Sequence, residues 1–225
     1  MKVIVFGATG MIGQGVLREC LLAADVQRVL TIGRTITNQK HDKLVEIAHA
    51  ELTDYSSIAS QLSGYDACFF CLGVSSSGLS ESEYRHVTVD IVVAAARVLA
   101  EKNPSMTFVF VSGAGADETG KSSVMWARVK GEAESAILAV PFARKYAFRP
   151  AFIRPIHGST SRTPAYRVLY NVLGPLFPVL KAVMPGQVTT TEIVGRAMLN
   201  AARHGAPKPV LDTHDINTLA NANVS

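Results

Sequence analysis

The chain has 225 residues, of which 48% are hydrophobic and 18% charged, with a formal net charge of +4. That length and apolar share suffice for one large core, and the scattered basic residues form no stripe that would track a nucleic-acid backbone, so an anionic small molecule is the expected partner. Three cysteines, Cys20, Cys68 and Cys71, are too few for a disulfide framework, and Met1-Lys2-Val3 leads straight into a strand pattern, so no secretory signal and a cytoplasmic location are expected.

Residues 2–6 read as a short apolar strand, and Gly7-Ala8-Thr9-Gly10-Met11-Ile12-Gly13 follows it at once. Met11, Ile12, Val16, Leu17, Leu21 and Leu22 then recur at helical spacing, which predicts a helix over 12–23 and places the glycines at a strand-to-helix turn. Gly7 permits the tight turn, Gly10 lets the backbone approach a pyrophosphate, and Gly13 lets the helix pack closely on its strand. The free N–H groups and positive dipole end of the helix would hold the phosphates. A turn that merely needs glycine is the alternative.

The second strand, 27–32, leads into Gly33-Arg34-Thr35 with no carboxylate at the place where NAD-selective sites hold the adenosine ribose. The Arg34 guanidinium can instead pair with a 2′-phosphate. A charge-assisted hydrogen bond of roughly 1.5–3 kcal/mol makes NADP(H) the expected cofactor, with NAD disfavoured about ten- to hundredfold. A solvated surface arginine is the alternative. After strand 44–48, Asp54 can accept from the adenine amino group, cap the helix predicted over 55–62, or do both.

Strand 66–72 carries Cys68-x-x-Cys71 within an apolar run, and a core strand explains that spacing better than a redox pair, which normally opens a helix. Helix 81–101, strand 106–111, helix 123–139, strand 145–149 and helices 165–182 and 190–203 complete the pattern. Such alternation predicts a single α/β domain over 1–225, a doubly wound parallel sheet with ligands at the carboxyl ends of its strands. Segment 150–186 breaks the rhythm and is expected to form a small substrate-pocket or lid region. Within it, Arg167, Pro175, Pro178 and Lys181 argue against a membrane-spanning helix. Residues 165–184 are read as an amphipathic cover over the cleft, with a membrane-surface or subunit contact as the alternative.

No metal site is expected, since the six histidines show no ligand spacing. Asp117-Glu118 and the pair Glu132 and Glu134 read as solvated charge. Arg149 and Arg154 could grip an anionic substrate or satisfy loop carbonyls.

The glycine turn, Gly33-Arg34, Asp54, Cys71-Leu72-Gly73, Val111-Ser112-Gly113 and Lys130-Gly131-Glu132 stand in the order found in the short-chain dehydrogenase/reductase superfamily, which has a Rossmann fold. With Phe148-Arg149-Pro150 and Val194–Asn200 added, the chain resembles its atypical group around the Tat-interacting oxidoreductase-like and nucleoside-diphosphate-sugar epimerase-like proteins. The resemblance implies a cofactor set of Gly7, Thr9, Gly10, Met11, Ile12, Gly13, Arg34, Asp54, Leu72, Gly73 and Lys130. It also implies pairing of two copies through helices 81–101 and 123–139, and a catalytic trio of a hydroxyl after the fifth strand, a tyrosine and a lysine. Ser112 matches the hydroxyl and Lys130 the lysine; a strand-ending serine and a surface lysine are the alternatives.

The tyrosine is replaced by Trp126, whose indole donates a hydrogen bond but cannot shuttle a proton. Another acid could serve, among Tyr84, Tyr166, Tyr170, Ser122 and Ser123 or a water at Ser112. Alternatively, Trp126 stacks on a ligand in a protein that only senses dinucleotide, or it is simply packed between helix and lid. The leading expectation is an NADPH-dependent oxidoreductase acting on a small substrate. A catalytically silent NADP(H)-sensing protein and a nucleotide-sugar epimerase-like enzyme are the alternatives.

Overall fold

The computed structural model describes residues 1–160 and 183–222. Strands β1 (Lys2–Phe6), β2 (Arg28–Gly33), β3 (Leu44–Ala48), β4 (Ala67–Phe70), β5 (Thr107–Val111), β6 (Arg144–Arg149) and β9 (Val210–Asp212) form one parallel sheet in the order β3-β2-β1-β4-β5-β6-β9. Chain order reverses between β1 and β4, the position at which open α/β sheets leave a crevice for ligands.

Alternation along these strands divides the core in two. Ile4, Phe6, Phe70, Phe108 and Phe110 face helices α3 (Ile91–Lys102) and α4 (Met125–Ala139) on one side. Val3, Val5, Phe69, Val109 and Phe148 face α1 (Met11–Leu22), α5 (Thr191–His204) and α6 (Thr213–Asn221) on the other. Both faces are apolar because both are covered, as a parallel sheet requires.

The six predicted strands form, each within about two residues of its predicted ends. The helix predicted over 55–62 is instead a 3-10 turn, Ser56–Gln61, in which only Ile58 is buried. The helix predicted over 81–101 is interrupted: α2 (Glu81–Arg85) opens on a capping box of Ser80 and Glu83 and passes through one π-helical turn, His86–Asp90, into α3.

Strand β9 and helix α6, itself opened by an Asp212–Asp215 capping box, lie beyond the predicted elements. So does a two-stranded parallel sheet of β7 (Phe152–Arg154) and β8 (Val188–Thr190), which joins the two ends of the 150–186 segment. The helix predicted over 165–182, with Tyr166, Arg167, Tyr170, Pro175, Pro178 and Lys181, lies outside the described residues.

Cys68 is fully buried in β4, and burial pushes its thiol and those of Cys20 and Cys71 up, which agrees with a core strand rather than a reactive pair. Among the described residues no helix is long and apolar enough to cross a membrane.

Close backbone approach seats the helices. A Cβ at Gly15 would stand 2.5 Å from that of Thr191, where α1 crosses α5, and one at Gly13 would stand 2.0 Å from the Gly7 carbonyl oxygen. The second contact is backbone on backbone and cannot relax by a rotamer change. Gly13→Ala is therefore expected to lower unfolding stability by about 3 kcal/mol or more, read as a lowered urea midpoint.

Candidate active site

The carboxyl end of β1 turns at Gly7, whose φ of +73° is a conformation glycine adopts without strain. Its carbonyl accepts from Gly10 N at 2.9 Å, and a Cβ on it would meet Leu72 N at 2.6 Å. Leu72 and Gly73 thus lie beside the turn. Gly10 caps α1 with no side-chain hydrogen bond and no acidic residue in the first turn, so the helix presents uncapped N–H groups.

Gly7 and Gly13 are forced to be glycine by the protein itself. Gly10 has an ordinary φ of −82°, and among the described residues a Cβ there would meet only the Gly7 oxygen, at 3.3 Å. That contact is tight, yet packing constrains this position far less than the 2.6 and 2.0 Å contacts at Gly7 and Gly13. Close approach of a phosphate to the helix start accounts for it well.

A cleft of about 530 Å³ opens beside the turn, lined among the described residues by Thr9, Gln14 and Arg18, by Thr37, Asn38 and Gln39 after β2, and by residues 157–160. Its walls are tied to the scaffold. Gln14 donates to the Thr9 and Thr160 carbonyls at 3.0 and 3.2 Å and accepts from Thr160 N at 3.1 Å. Glu46 on β3 accepts from Thr31 Oγ1 at 3.1 Å and from Thr37 N at 2.8 Å, which fixes the loop after β2. His157, at a φ of +54°, shares a 2.6 Å hydrogen bond with Glu192.

Arg34 is exposed at the end of β2 and forms no ion pair among the described residues. Arg18, which the sequence reading passed over, lines the cleft directly; it pairs with Glu19 through one terminal nitrogen at 2.5 Å and keeps its other donors. Its signal was available in the chain, one helical turn beyond Gln14 on the same face. Asp54 accepts from Ser56 N at 2.8 Å, and that bond holds its carboxyl below the usual range; it closes an Asx turn ahead of the 3-10 turn, whose N-cap position is Tyr55, with no side-chain cap bond.

Ser112, Trp126 and Lys130 gather at the carboxyl end of β5. Ser112 N donates to the Phe148 carbonyl at 2.8 Å, while its hydroxyl, on a residue only 8% exposed, has no partner among the described residues. Lys130 Nζ donates to the Val111 carbonyl at 3.1 Å and lies 4.9 Å from the Phe110 ring centre. Burial lowers its pKa to about 8, against a weaker upward pull from Glu134. One turn earlier the half-buried Trp126 indole covers the Gly113–Gly115 turn: a Cβ at Gly115 would lie 3.2 Å from its Cη2.

Two expectations about charge are corrected. Glu134 is 1% exposed, not solvated, and takes a forked pair of hydrogen bonds from Arg149. Arg149 thereby joins β6 to α4 through its Nε and Nη2, since a buried carboxylate needs such a partner. Asp117 likewise organises its loop, accepting from Ser122 N and Thr119 Oγ1, each at 2.6 Å, which pulls its pKa down to about 2.

The candidate acids fare differently. Tyr84 is 3% exposed within the core, and the Ser122 hydroxyl accepts from Val124 N at 3.1 Å. Ser123 is exposed, and Tyr166 and Tyr170 fall outside the described residues.

A family model described as NAD(P)H-binding matches residues 7–141. Protein fmp52, mitochondrial, of Emericella nidulans is 28% identical over 207 residues, which is 89% of this chain and 86% of that protein. Protein HTATIP2 of Rattus norvegicus is 29% identical over 155 residues, 68% of this chain and 62% of that one. Among solved structures, the Bordetella bronchiseptica enzyme WbmF in complex with NAD+ matches with a TM-score of 0.68 at 17% identity, over 98% of this chain and 77% of its own. UDP-glucuronic acid 4-epimerase from Bacillus cereus in complex with NAD gives 0.67 at 12% identity, over 94% and 78%. Likeness at such identities carries the Rossmann fold and nothing finer. The fungal relatives are named as mitochondrial, and this overturns the expected cytoplasmic location.

Two outcomes follow from this geometry. Gly10→Ala is expected to keep its unfolding midpoint while NADPH affinity, measured by calorimetry, falls about tenfold or more, the equivalent of one lost charge-assisted hydrogen bond. Lys130 has a folded pKa near 8 against an ordinary 10.5. The unfolded chain therefore binds more protons between those values, and stability rises with pH across that window. Lys130→Met should be more stable than the parent at pH 7 by about 1–3 kcal/mol, with the gap closing as pH approaches 10.5; urea unfolding at several pH values reads it.

Proposed function

The chain belongs to the NAD(P)H-binding family, within the atypical short-chain dehydrogenase/reductase superfamily, and on that premise we propose that it is an NADP(H)-dependent oxidoreductase acting on a small molecule at the carboxyl end of β5. The observation that carries this reading is the buried Ser112 hydroxyl, without a partner among the described residues, beside a lysine whose charge is held at the same strand end. A polar group buried without a partner costs free energy, and of the five such side chains among the described residues Ser112 is the one beside Lys130 at the carboxyl end of β5, where a ligand is expected.

In this reading the first N–H groups of α1 hold the pyrophosphate, and the absence of a side chain on Gly10 admits it. Arg34 pairs with the 2′-phosphate, at a strand end where no carboxylate would repel it. When bound, the dinucleotide supplies hydride chemistry. Ser112 orients the acceptor's oxygen by donating its hydroxyl proton in a hydrogen bond. Lys130 supplies positive charge as negative charge develops there, in a place dry enough for that charge to act strongly. The mitochondrial designation of the fungal relatives supports the same compartment for this reaction.

A second reading is favoured by one observation, the Trp126 indole at the position of the usual proton donor. Under it the protein binds NADP(H) and responds to it without turnover.

Calorimetry with NADPH and NADH on the parent chain and on Arg34→Ala tests the cofactor assignment. The parent should bind NADPH at least tenfold more tightly, and the variant should bring the two nucleotides to within about threefold of each other. Equal binding by the parent would overturn the NADP(H) preference. Binding of neither would overturn the oxidoreductase reading.

A further inference from the structure

Reducing an isolated aldehyde or ketone leaves a strongly basic alkoxide unless a proton reaches the oxygen as hydride arrives, which is why such sites carry a positioned acid. The chain has six tyrosines, and none of the four that lie among the described residues can fill that role at Ser112. Tyr55 and Tyr84 are buried in the core, and burial holds the Tyr55 proton more tightly still. The Tyr146 hydroxyl accepts from Ala206 N at 3.0 Å, on the far face of the sheet. Tyr65 lies with Lys2 and Arg28 at the amino-terminal end of the strands.

A different class of acceptor has no such need. In a quinone, hydride transfer leaves a negative charge that spreads through a conjugated ring onto the second carbonyl oxygen, where it is stable in water and only weakly basic. A site for it needs a hydrogen-bond donor for one carbonyl, a cation to stabilise the anion, and a flat apolar surface for the ring. Ser112 has a buried hydroxyl with no partner among the described residues, Lys130 a held ammonium, and Trp126 a half-buried indole braced on Gly113 and Gly115. Aromatic faces prefer offset stacking on such rings.

We propose that the acceptor is a planar conjugated quinone lying against Trp126, with Ser112 bonded to its carbonyl and no proton transferred by the protein. This rests on the oxidoreductase reading and names its substrate class. The acceptor takes up the hydride, two electrons and one hydrogen nucleus, from the reduced dinucleotide, whose C–H bond breaks and which is left oxidised. The resulting hydroquinone monoanion takes its second proton from bulk water.

Trp126 is the chain's single tryptophan, so intrinsic fluorescence reports this position alone. The test titrates the NADP+-saturated protein with menadione, and with cyclohexanone as the non-conjugated control, then follows NADPH oxidation by each. Menadione should quench the emission saturably and be reduced at least a hundredfold faster than cyclohexanone. Trp126→Ala should raise the KM for menadione about tenfold, as expected for loss of a stacked ring, and Trp126→Phe, which keeps a plane, should restore it to within about threefold of the parent.

If cyclohexanone is reduced as fast as menadione, or if Trp126→Ala leaves the menadione KM unchanged in a folded protein, the assignment is overturned. A hundredfold loss of menadione reduction in Tyr166→Phe or Tyr170→Phe would also overturn it, since a phenol would then be the proton donor. Failure of NADPH to bind would remove the oxidoreductase reading itself. NADPH binding without menadione quenching or reduction would remove only the acceptor assignment.

Discussion

Backbone meets backbone at the carboxyl ends of β1 and β4 more closely than any side chain would allow. Gly13 rests on the Gly7 carbonyl, and Gly7 stands against the Leu72 amide, with the virtual Cβ positions 2.0 and 2.6 Å from those atoms. These contacts draw α1 onto its own strand and set its first turn over the gap between β1 and β4. The uncapped N–H groups of α1 and the Gln14 clasp on Thr160 are carried on the helix so seated, while Glu46 independently fixes the loop after β2. Gly10 stands apart within the turn, because little in the protein requires it to lack a side chain. A glycine that packing leaves unexplained, between two that packing explains, separates folding from binding inside one seven-residue motif.

A second corner at β5 and α4 is built by the same device. A Cβ at Gly131 would fall 1.9 Å from the Asp117 carbonyl oxygen, so α4 lies directly against the loop that follows Ser112. The buried Glu134–Arg149 pair ties that helix to β6. Removing one partner of such a pair leaves an uncompensated charge and costs about 3–5 kcal/mol, so the corner is rigid for a structural reason. Inside it Lys130 is held in surroundings that disfavour its charge, and Ser112 keeps a hydroxyl without a partner among the described residues. Stability is sacrificed at both residues, a pattern typical of sites prepared for a ligand.

The α/β alternation and the glycine turn were legible in the sequence because strand and helix periods are local and the turn needs a residue type with no substitute. Strands β7 to β9 were not, since each has three residues and too few alternations to register. Helix α6 carried a readable signal in Asp212 and Asp215, a capping box whose second member is Asp in place of the usual Glu or Gln. Glu134 looked like surface charge and Arg149 like a substrate or loop contact because fifteen residues separate them, and only the fold brings α4 beside β6. The roles of Ser112, Trp126 and Lys130 came from resemblance and not from pattern. Packing then added what resemblance could not supply, an orphaned hydroxyl, a lowered amine pKa and an indole braced on two glycines.

One continuous edge, from the α1 N-terminus to the end of β5, is the surface proposed to take the dinucleotide. Amide chemical-shift mapping on uniformly nitrogen-15-labelled protein titrated with NADPH tests it residue by residue. Saturable shifts are expected at Gly10–Gly13, Arg34, Leu72, Gly73 and Ser112, with little change at Lys2, Arg28 and Tyr65 on the opposite end of the sheet. Shifts confined to that opposite end, or none at all, would contradict it.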